Sequence, residues 1–491
     1  MSHRMDYANL PMKFIIFLLT FMPILGNNQI KSSHVLEQQH INLLVAQIRT
    51  APMDPILFWN QVMLHACGND YDPSIASVPD QDGPGATARA FGIIHGAMHD
   101  SMIVFNPVYK SIFKHKNIPV MKNTPVRPAI DAAITEAAFL TLSHLYPKQQ
   151  NILTAVRNKY LMRIPSDIIK QSAINKGIYI GRLIADSILK DRVNDGSQIN
   201  QSYVPSLQAG YHQTDPTHPT QGFVGVHWGN VKPFFLNSTS QYRPLNIVGD
   251  TFKSRFAYLN SQTYLNEFDE IRSMGSKTSK VRTEDQTHIG IAWGYDGVPK
   301  IGTPPRLYNQ IVRVIATQQN NTLEQNARLF ALVNIGLGDA GFAAWETKYF
   351  YQFWRPIVAI RQSTDKIRVD SNWLPLGAQG DGADTNFTPP FPAYVSGHST
   401  FGSTCFETLR LFYKKDTISF QFQSDEYNGQ TIDSNTGKPR PARIRKYSSF
   451  TQAEMENYMS RLYLGVHWRC DAENGKILGR QIAQHVYRAV A

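Results

Sequence analysis

Pro389-Pro390-Phe391-Pro392-Ala393-Tyr394-Val395-Ser396-Gly397-His398-Ser399-Thr400-Phe401-Gly402 changes character halfway along. Its first half is extended, because each proline fixes φ and lacks an N–H. From Ser396 the apolar spacing is helical and continues through Leu409. The change places Ser396 and Gly397 at a helix N-terminus. There, free backbone N–H groups and the helix dipole favour an anion, glycine permits close backbone approach, and a hydroxyl adds a donor. His398 then stands beside that anion as a candidate acid–base group. Alone, it would read as an ordinary histidine of a capping region.

Two further segments supply the same chemistry. Lys348 and Arg355-Pro356 lie seven residues apart, about two turns on a helix, so the spacing predicts that both cations share one face with Trp345. Phe350, Phe353 and Trp354 predict that this face is buried, and buried cations require an anion. Ser460-Arg461 is followed, after five intervening residues, by His467-Trp468-Arg469-Cys470-Asp471. Arg461 offers a planar guanidinium suited to bidentate oxygen contacts, and Gly465 allows a turn that brings His467 to the same centre. Asp471 either orients a histidine or caps a helix. Singly these segments are weak; together they assemble lysine, two arginines, serine, glycine and two histidines around one oxyanion.

Outward from this region the chain reads as all-α, in one or two intertwined bundles. Residues 35–66 and 126–192 carry apolar residues at mixed three and four spacings, as do Arg89 to Val104. His95 and His99, four apart and next to Asp100, have metal-ligand spacing, but with no third ligand evident the core or capping reading is favoured. Residues 201–282 hold Pro205, Pro216, Pro219, Pro233 and Pro244 among Gly, Tyr, Phe and Asn, and read as a long irregular connection. Helical periodicity returns at 283 and persists to the end, broken at 376–393 and at a polar stretch, 424–447. The expected organisation is an N-terminal bundle at 35–200, the connection at 201–282 and a catalytic bundle at 283–491. Gly225-Val226-His227-Trp228 recurs as Gly465-Val466-His467-Trp468, but the surroundings differ and the first copy reads as coincidence.

Composition narrows the function. Of 491 residues 42% are hydrophobic, enough for a large core, and 49 Lys and Arg against 38 Asp and Glu give a net charge of +11. The excess favours an anionic ligand, but no Lys/Arg run or nucleic-acid signature accompanies it, which argues against nucleic acid as partner. Cys67, Cys405 and Cys470 imply neither a disulfide framework nor a zinc site. Lys13 followed by the apolar run 14–22 and Gly26 has a signal-peptide profile over 1–26, with an uncleaved membrane anchor as the alternative. Met12 offers a second possible start. The expectation is a secreted protein, and Asn200, Asn237, Asn320 and Asn386 each open a glycosylation sequon compatible with export.

At the three oxyanion segments the chain resembles the superfamily of vanadium-dependent haloperoxidases and type 2 phosphatidic acid phosphatases. The shared signature is Lys-x6-Arg-Pro, Pro-Ser-Gly-His and Ser-Arg-x5-His, with Val395 replacing the proline before Ser396. Similarity to the fungal vanadium chloroperoxidases extends to Tyr295-Asp296-Gly297, Ile301 through Arg306, Arg328 through Leu332 and Asp339-Ala340-Gly341, and is dense over 283–480. The resemblance implies two packed helical bundles with long irregular connections. It implies that His467 binds vanadium through a ring nitrogen, that Lys348, Arg355, Ser396, Gly397 and Arg461 hold the oxygens of vanadate, and that His398 is the acid–base group. Asp296 matches the acidic partner of Arg461, and Trp345 and Phe391 match the aromatic residues of the halide side, favouring chloride. The implied reaction oxidises halide with hydrogen peroxide to hypohalous acid, with Lys348 polarising the peroxide and an organic acceptor taking the halogen. The resemblance leaves the oligomeric state open. A soluble acid phosphatase with His467 as nucleophile is the rival enzyme, since phosphate shares vanadate's shape and charge. A catalytically silent member of the fold is a third reading, disfavoured by the intact signature.

Overall fold

The computed structural model describes residues 38–46, 54–115, 118–119, 121, 126–164, 168–363, 365–380 and 384–490. The expected signal segment at 1–26 lies outside them. The fold is all-α, 58% helix and 4% strand. After a helical segment at 38–46, five helices occupy the first part of the chain: α1 (Pro55–Asp70), α2 (Gly83–Ile103), α3 (Val126–Leu145), α4 (Gln150–Arg163) and α5 (Ile168–Arg192). Asp54 starts α1 by accepting the N–H groups of Ile56 and Leu57 at 2.7 and 3.1 Å, just before a proline at the first helical position. Helices α2, α3 and α5 pack together as the first bundle.

The second bundle is built on α10 (Leu323–Tyr351), opened by a reciprocal cap between Thr322 and Gln325. At 29 residues α10 is long and apolar enough to cross a membrane, but 94% of its most apolar window is buried within the fold, so it reads as a core helix. It packs on α2 of the first bundle and on α12 (Gly397–Tyr413) and α14 (Arg469–Val490) of the second. Gly475 and Gly479 let α14 lie against α12: an added Cβ would meet Ser396 O at 2.7 Å and Thr400 O at 2.3 Å. The remaining helices are α6 (Phe252–Leu259), α7 (Gln262–Met274), α8 (Glu284–Ala292), α9 (Pro304–Gln318), α11 (Pro356–Gln362) and α13 (Phe450–Tyr463). Two antiparallel strand pairs occur: β1 (Ala378–Gly380) with β2 (Asp384–Phe387) lies within 376–393, and β3 (Phe420–Gln423), just ahead of the polar stretch 424–447, pairs with β4 (Ile444–Tyr447) inside it.

The connecting region is less irregular than its prolines suggest. Helices α6 and α7 fall within 201–282, each started by a hydroxyl: Thr251 exchanges a capping box with Ser254, and Ser261 accepts from Tyr264 N. These caps follow the last proline of the run and initiate helices despite the surrounding polarity. The rest is pinned to the core by buried polar groups. Asp339 on α10 accepts the N–H groups of Phe234, Phe235 and Leu236 at 2.6, 2.8 and 3.0 Å, and Arg255 donates to the carbonyls of Gly210, Gly249 and Tyr351. An irregular chain held this way satisfies its backbone without a ladder.

The His95–Asp100 cluster is structural. Asp100 accepts from His99 Nδ1 at 2.8 Å, His115 Nε2 at 2.7 Å and the backbone of Ile112 and Phe113, which fastens the chain beyond α2. No group of three metal-ligating side chains occurs among the described residues. The three cysteines are buried and free. Of the sequons, Asn200, Asn237 and Asn320 are exposed, whereas Asn386 is buried and donates to Pro375 O.

Candidate active site

Lys348 and Arg355 do not share a helix face. Gln352 adopts a left-handed conformation (φ 51°) and ends α10, and Arg355 is the N-cap of α11, whose first residue is Pro356. Proline disfavours helical geometry in the residue before it, which breaks the two-turn pattern. The cations meet through the proline-rich loop instead: Lys348 Nζ donates to Pro392 O and Ala393 O at 2.9 and 3.1 Å, and Arg355 Nε donates to Phe391 O at 2.9 Å.

The same loop delivers α12. Ser396 is its N-cap, with its hydroxyl accepting from Ser399 N and its own N–H donating to Asp471 O. The N–H groups of Gly397 and His398 stand in the first turn, beyond reach of any carbonyl of their helix. An added Cβ on Gly397 would meet the Trp345 ring at 3.2 Å, so glycine keeps the helix start against that indole. His398 Nε2 donates to Gly294 O at 2.6 Å, and since a carbonyl only accepts, Nδ1 carries the lone pair. Arg461 Nη1 lies 3.4 Å from the same Nε2, two donors facing each other, while Asp296 Oδ1 lies 4.0 Å from Nδ1. Burial, then the Arg461 charge, lowers His398 to about 4, so the imidazole is neutral near neutral pH.

His467 follows Gly465, whose φ of 72° makes the turn out of α13. Its Nδ1 donates to Asp471 Oδ2 at 2.9 Å, which also accepts Trp468 N. That bond selects the tautomer: Nε2 keeps its lone pair and accepts from Arg355 Nη1 at 3.0 Å. A histidine oriented by a buried carboxylate, with the far nitrogen free of a proton, has the form of a metal ligand or a nucleophile. Burial pushes Asp471 up to about 7.

Lys348, Arg355 and Arg461 are each at most 1% exposed. Asp296 Oδ2 accepts from Arg461 Nη2 at 2.9 Å, but Arg355 Nη2 and Arg461 Nε are buried with no partner among the described residues. Burial, then Arg355, holds Lys348 well below its ordinary value, and burial lowers Arg355 to about 9. Three clustered cations with unfilled donors are stabilised by an oxyanion. One wall is aromatic: the Trp345 and Phe391 rings are 4.8 Å apart, with Lys348 Nζ 5.6 and 5.0 Å from them.

The structure thus brings Lys348, Arg355, Ser396, Gly397, His398, Arg461, His467, Trp345, Phe391 and Asp296 to one centre. Sequence reasoning missed the partners that hold them. The carbonyls of Gly294, Pro392 and Ala393 have no sequence signature. Glu426, in the polar stretch 424–447, accepts Tyr295 N at 3.2 Å and pairs with buried Arg440, bracing the Gly294–Asp296 turn. Three acidic residues, Asp425, Glu426 and Asp433, and three arginines, Arg440, Arg443 and Arg445, within that stretch were the available hint.

Residues 328–491 match the family model of the second helical-bundle domain of vanadium chloroperoxidase (VCPO). The vanadium chloroperoxidase of Curvularia inaequalis is 31% identical over 501 residues, covering 85% of this chain and 79% of the relative. Among solved structures, the first bacterial vanadium-dependent iodoperoxidase superposes with a TM-score of 0.71 at 21% identity, covering 90% of this chain and 99% of that one. A holo bacterial vanadium-dependent chloroperoxidase gives 0.64 at 14% identity, with coverage of 91% and 97%. These two establish the shared all-α fold. The 31% identity to the Curvularia protein extends over 85% of this chain, and on that ground the chain belongs to the vanadium-dependent haloperoxidase family.

Proposed function

We propose that the pocket binds vanadate and that the enzyme uses it to oxidise halide with hydrogen peroxide. One halide, one hydrogen peroxide and one proton give one hypohalous acid and one water. The observation that carries this reading is the lone pair of His467 Nε2, facing a buried cluster of guanidinium donors of which Arg355 Nη2 and Arg461 Nε are unfilled. Lys348, Arg355, Arg461, the Ser396 hydroxyl and the Gly397 N–H would hold the oxygens, and His467 the vanadium. When bound, vanadate supplies a Lewis-acidic vanadium(V) centre that activates peroxide without changing oxidation state.

The chain's own groups supply the rest. Neutral His398 accepts a proton from the incoming peroxide at Nδ1, its ring held by the Gly294 carbonyl. Lys348, fixed by two carbonyls, polarises the peroxide. Trp345 and Phe391 exclude water on the halide side, and their apolar wall supports chloride among the substrates. Hypohalous acid then halogenates an organic acceptor. Secretion through a leader at 1–26, and bundles divided near 200 and 283, complete the proposal.

The test is peroxide-dependent halogenation of a dye by purified vanadate-free protein, with chloride, bromide or iodide, before and after orthovanadate and with phosphate as competitor. The expected result is vanadate-dependent activity suppressed by phosphate. No halogenation, alongside phosphate-ester hydrolysis inhibited by vanadate, would make His467 the nucleophile of a phosphatase.

A further inference from the structure

His212 is 2% exposed, and neither of its ring nitrogens has a hydrogen-bond partner among the described residues. Other buried histidines keep at least one nitrogen bonded: His95 to Asn60, His99 to Asp100, His398 to Gly294 O and His467 to Asp471. A ring that only fills space is costly with two desolvated, unbonded nitrogens, so this one is placed for something else.

Its position says what. The segment carrying His212 runs antiparallel to the residues just before Arg355: Trp354 N donates to Gly210 O at 3.2 Å, Tyr211 bridges Phe353, and His212 N donates to Gln352 O at 2.8 Å. Phe223, whose ring lies 5.6 Å from the imidazole at 71°, adjoins Val224, whose N–H donates to Pro390 O at 3.0 Å, next to Phe391. His212 therefore fills the angle between the segments that carry Arg355 and Phe391. After burial, the charges acting most on it are Arg355 and then Lys348, and all three hold the ring neutral. A neutral imidazole has one N–H donor and one acceptor. The immediate environment of the ring includes Phe223 and Tyr203, whose centroids lie 5.6 and 6.1 Å away. It is electropositive and aromatic, and aromatic edges carry partial positive charge. Such a site suits a small anion that has shed its water and needs one donor.

We propose that His212 is a further substrate-binding residue of this site, whose imidazole N–H receives the halide on the Arg355–Phe391 side of the pocket. The assignment rests on the haloperoxidase reading above. His212→Phe keeps an aromatic ring of similar size and removes the donor, and His212→Asn keeps an N–H donor. In steady-state kinetics His212→Phe raises the halide KM about tenfold, as expected for one hydrogen bond to a charged group. The peroxide KM stays within about twofold of the parent, and His212→Asn recovers most of the halide KM. A second readout needs no turnover: chloride NMR line broadening by the vanadate-free protein weakens in His212→Phe and persists in His212→Asn. An unchanged halide KM with unchanged broadening overturns the proposal. A rise in the peroxide KM alone overturns it too, by making His212 a peroxide site. If the parent protein oxidises no halide, the haloperoxidase reading fails, whereas His212-dependent chloride broadening in that protein upholds the anion site by itself.

Discussion

Asp471 is the group on which the pocket's electrostatics turn. It is fully buried, accepts from His467 Nδ1 and Trp468 N at 2.9 Å each, and its charge acts favourably on both Lys348 and Arg355. Asp471→Ala removes that charge and the acceptor that selects the His467 tautomer. Loss of one partner from a buried charge network costs about 3–5 kcal/mol. Loss of the carboxylate behind a metal-binding histidine costs roughly 10–100-fold in affinity. The assay is unfolding of the oxyanion-free protein by denaturant, repeated across an orthovanadate titration. Asp471→Ala should unfold earlier and bind vanadate more weakly, and orthovanadate at about 100 times each protein's own Kd should restore about 2.7 kcal/mol. Asp471→Asn, which keeps the shape, should lose more affinity than stability. An alanine variant with parental stability and parental vanadate affinity would refute the reasoning.

Two further outcomes follow from the same geometry. His398 titrates near 4 in the folded protein against 6.5 ordinarily, so between those pH values the unfolded chain takes up a proton that the folded one refuses. Measured without oxyanion, the stability of the parent relative to His398→Gln should fall by about 3 kcal/mol from pH 7 to pH 4, and a flat difference would contradict the assigned environment. Glu426→Ala leaves buried Arg440 with Asp433 as its remaining ion-pair partner and frees Tyr295 N, so stability should drop by about 3 kcal/mol and turnover should fall more than vanadate affinity. Adding Arg440→Met should recover stability without recovering turnover; recovery of both would mean that Glu426 does not position the Gly294–Asp296 turn.

The chemistry of the centre was legible in the chain because it resides in side-chain identity and short spacing. A serine and glycine where a proline run meets a helical pattern specify a donor-rich helix start, and Arg461, Gly465 and His467 follow within one turn and its exit. The long helices were legible for the same reason: α2, α3, α5 and α10 each repeat an apolar pattern over many residues. Short helices such as α6 and α7 were not, since they rest on Thr251 and Ser261 caps within a polar stretch. Tertiary structure decided how Lys348 and Arg355 come together. The break at Gln352 places them on separate helices, and carbonyls of the 391–393 loop, which carry no residue identity, aim both. It also decided which nitrogen of His398 and of His467 bears the proton, because each tautomer is set by an acceptor that the fold delivers: Gly294 O, from more than a hundred residues away, and Asp471 Oδ2, swung into place at the start of α14. His212 belongs to the same class. Among Pro, Gly and Tyr it has no local pattern, and it stands beside the Arg355 segment because its N–H donates to Gln352 O while Gly210 O accepts from Trp354 N, contacts that no spacing along the chain encodes.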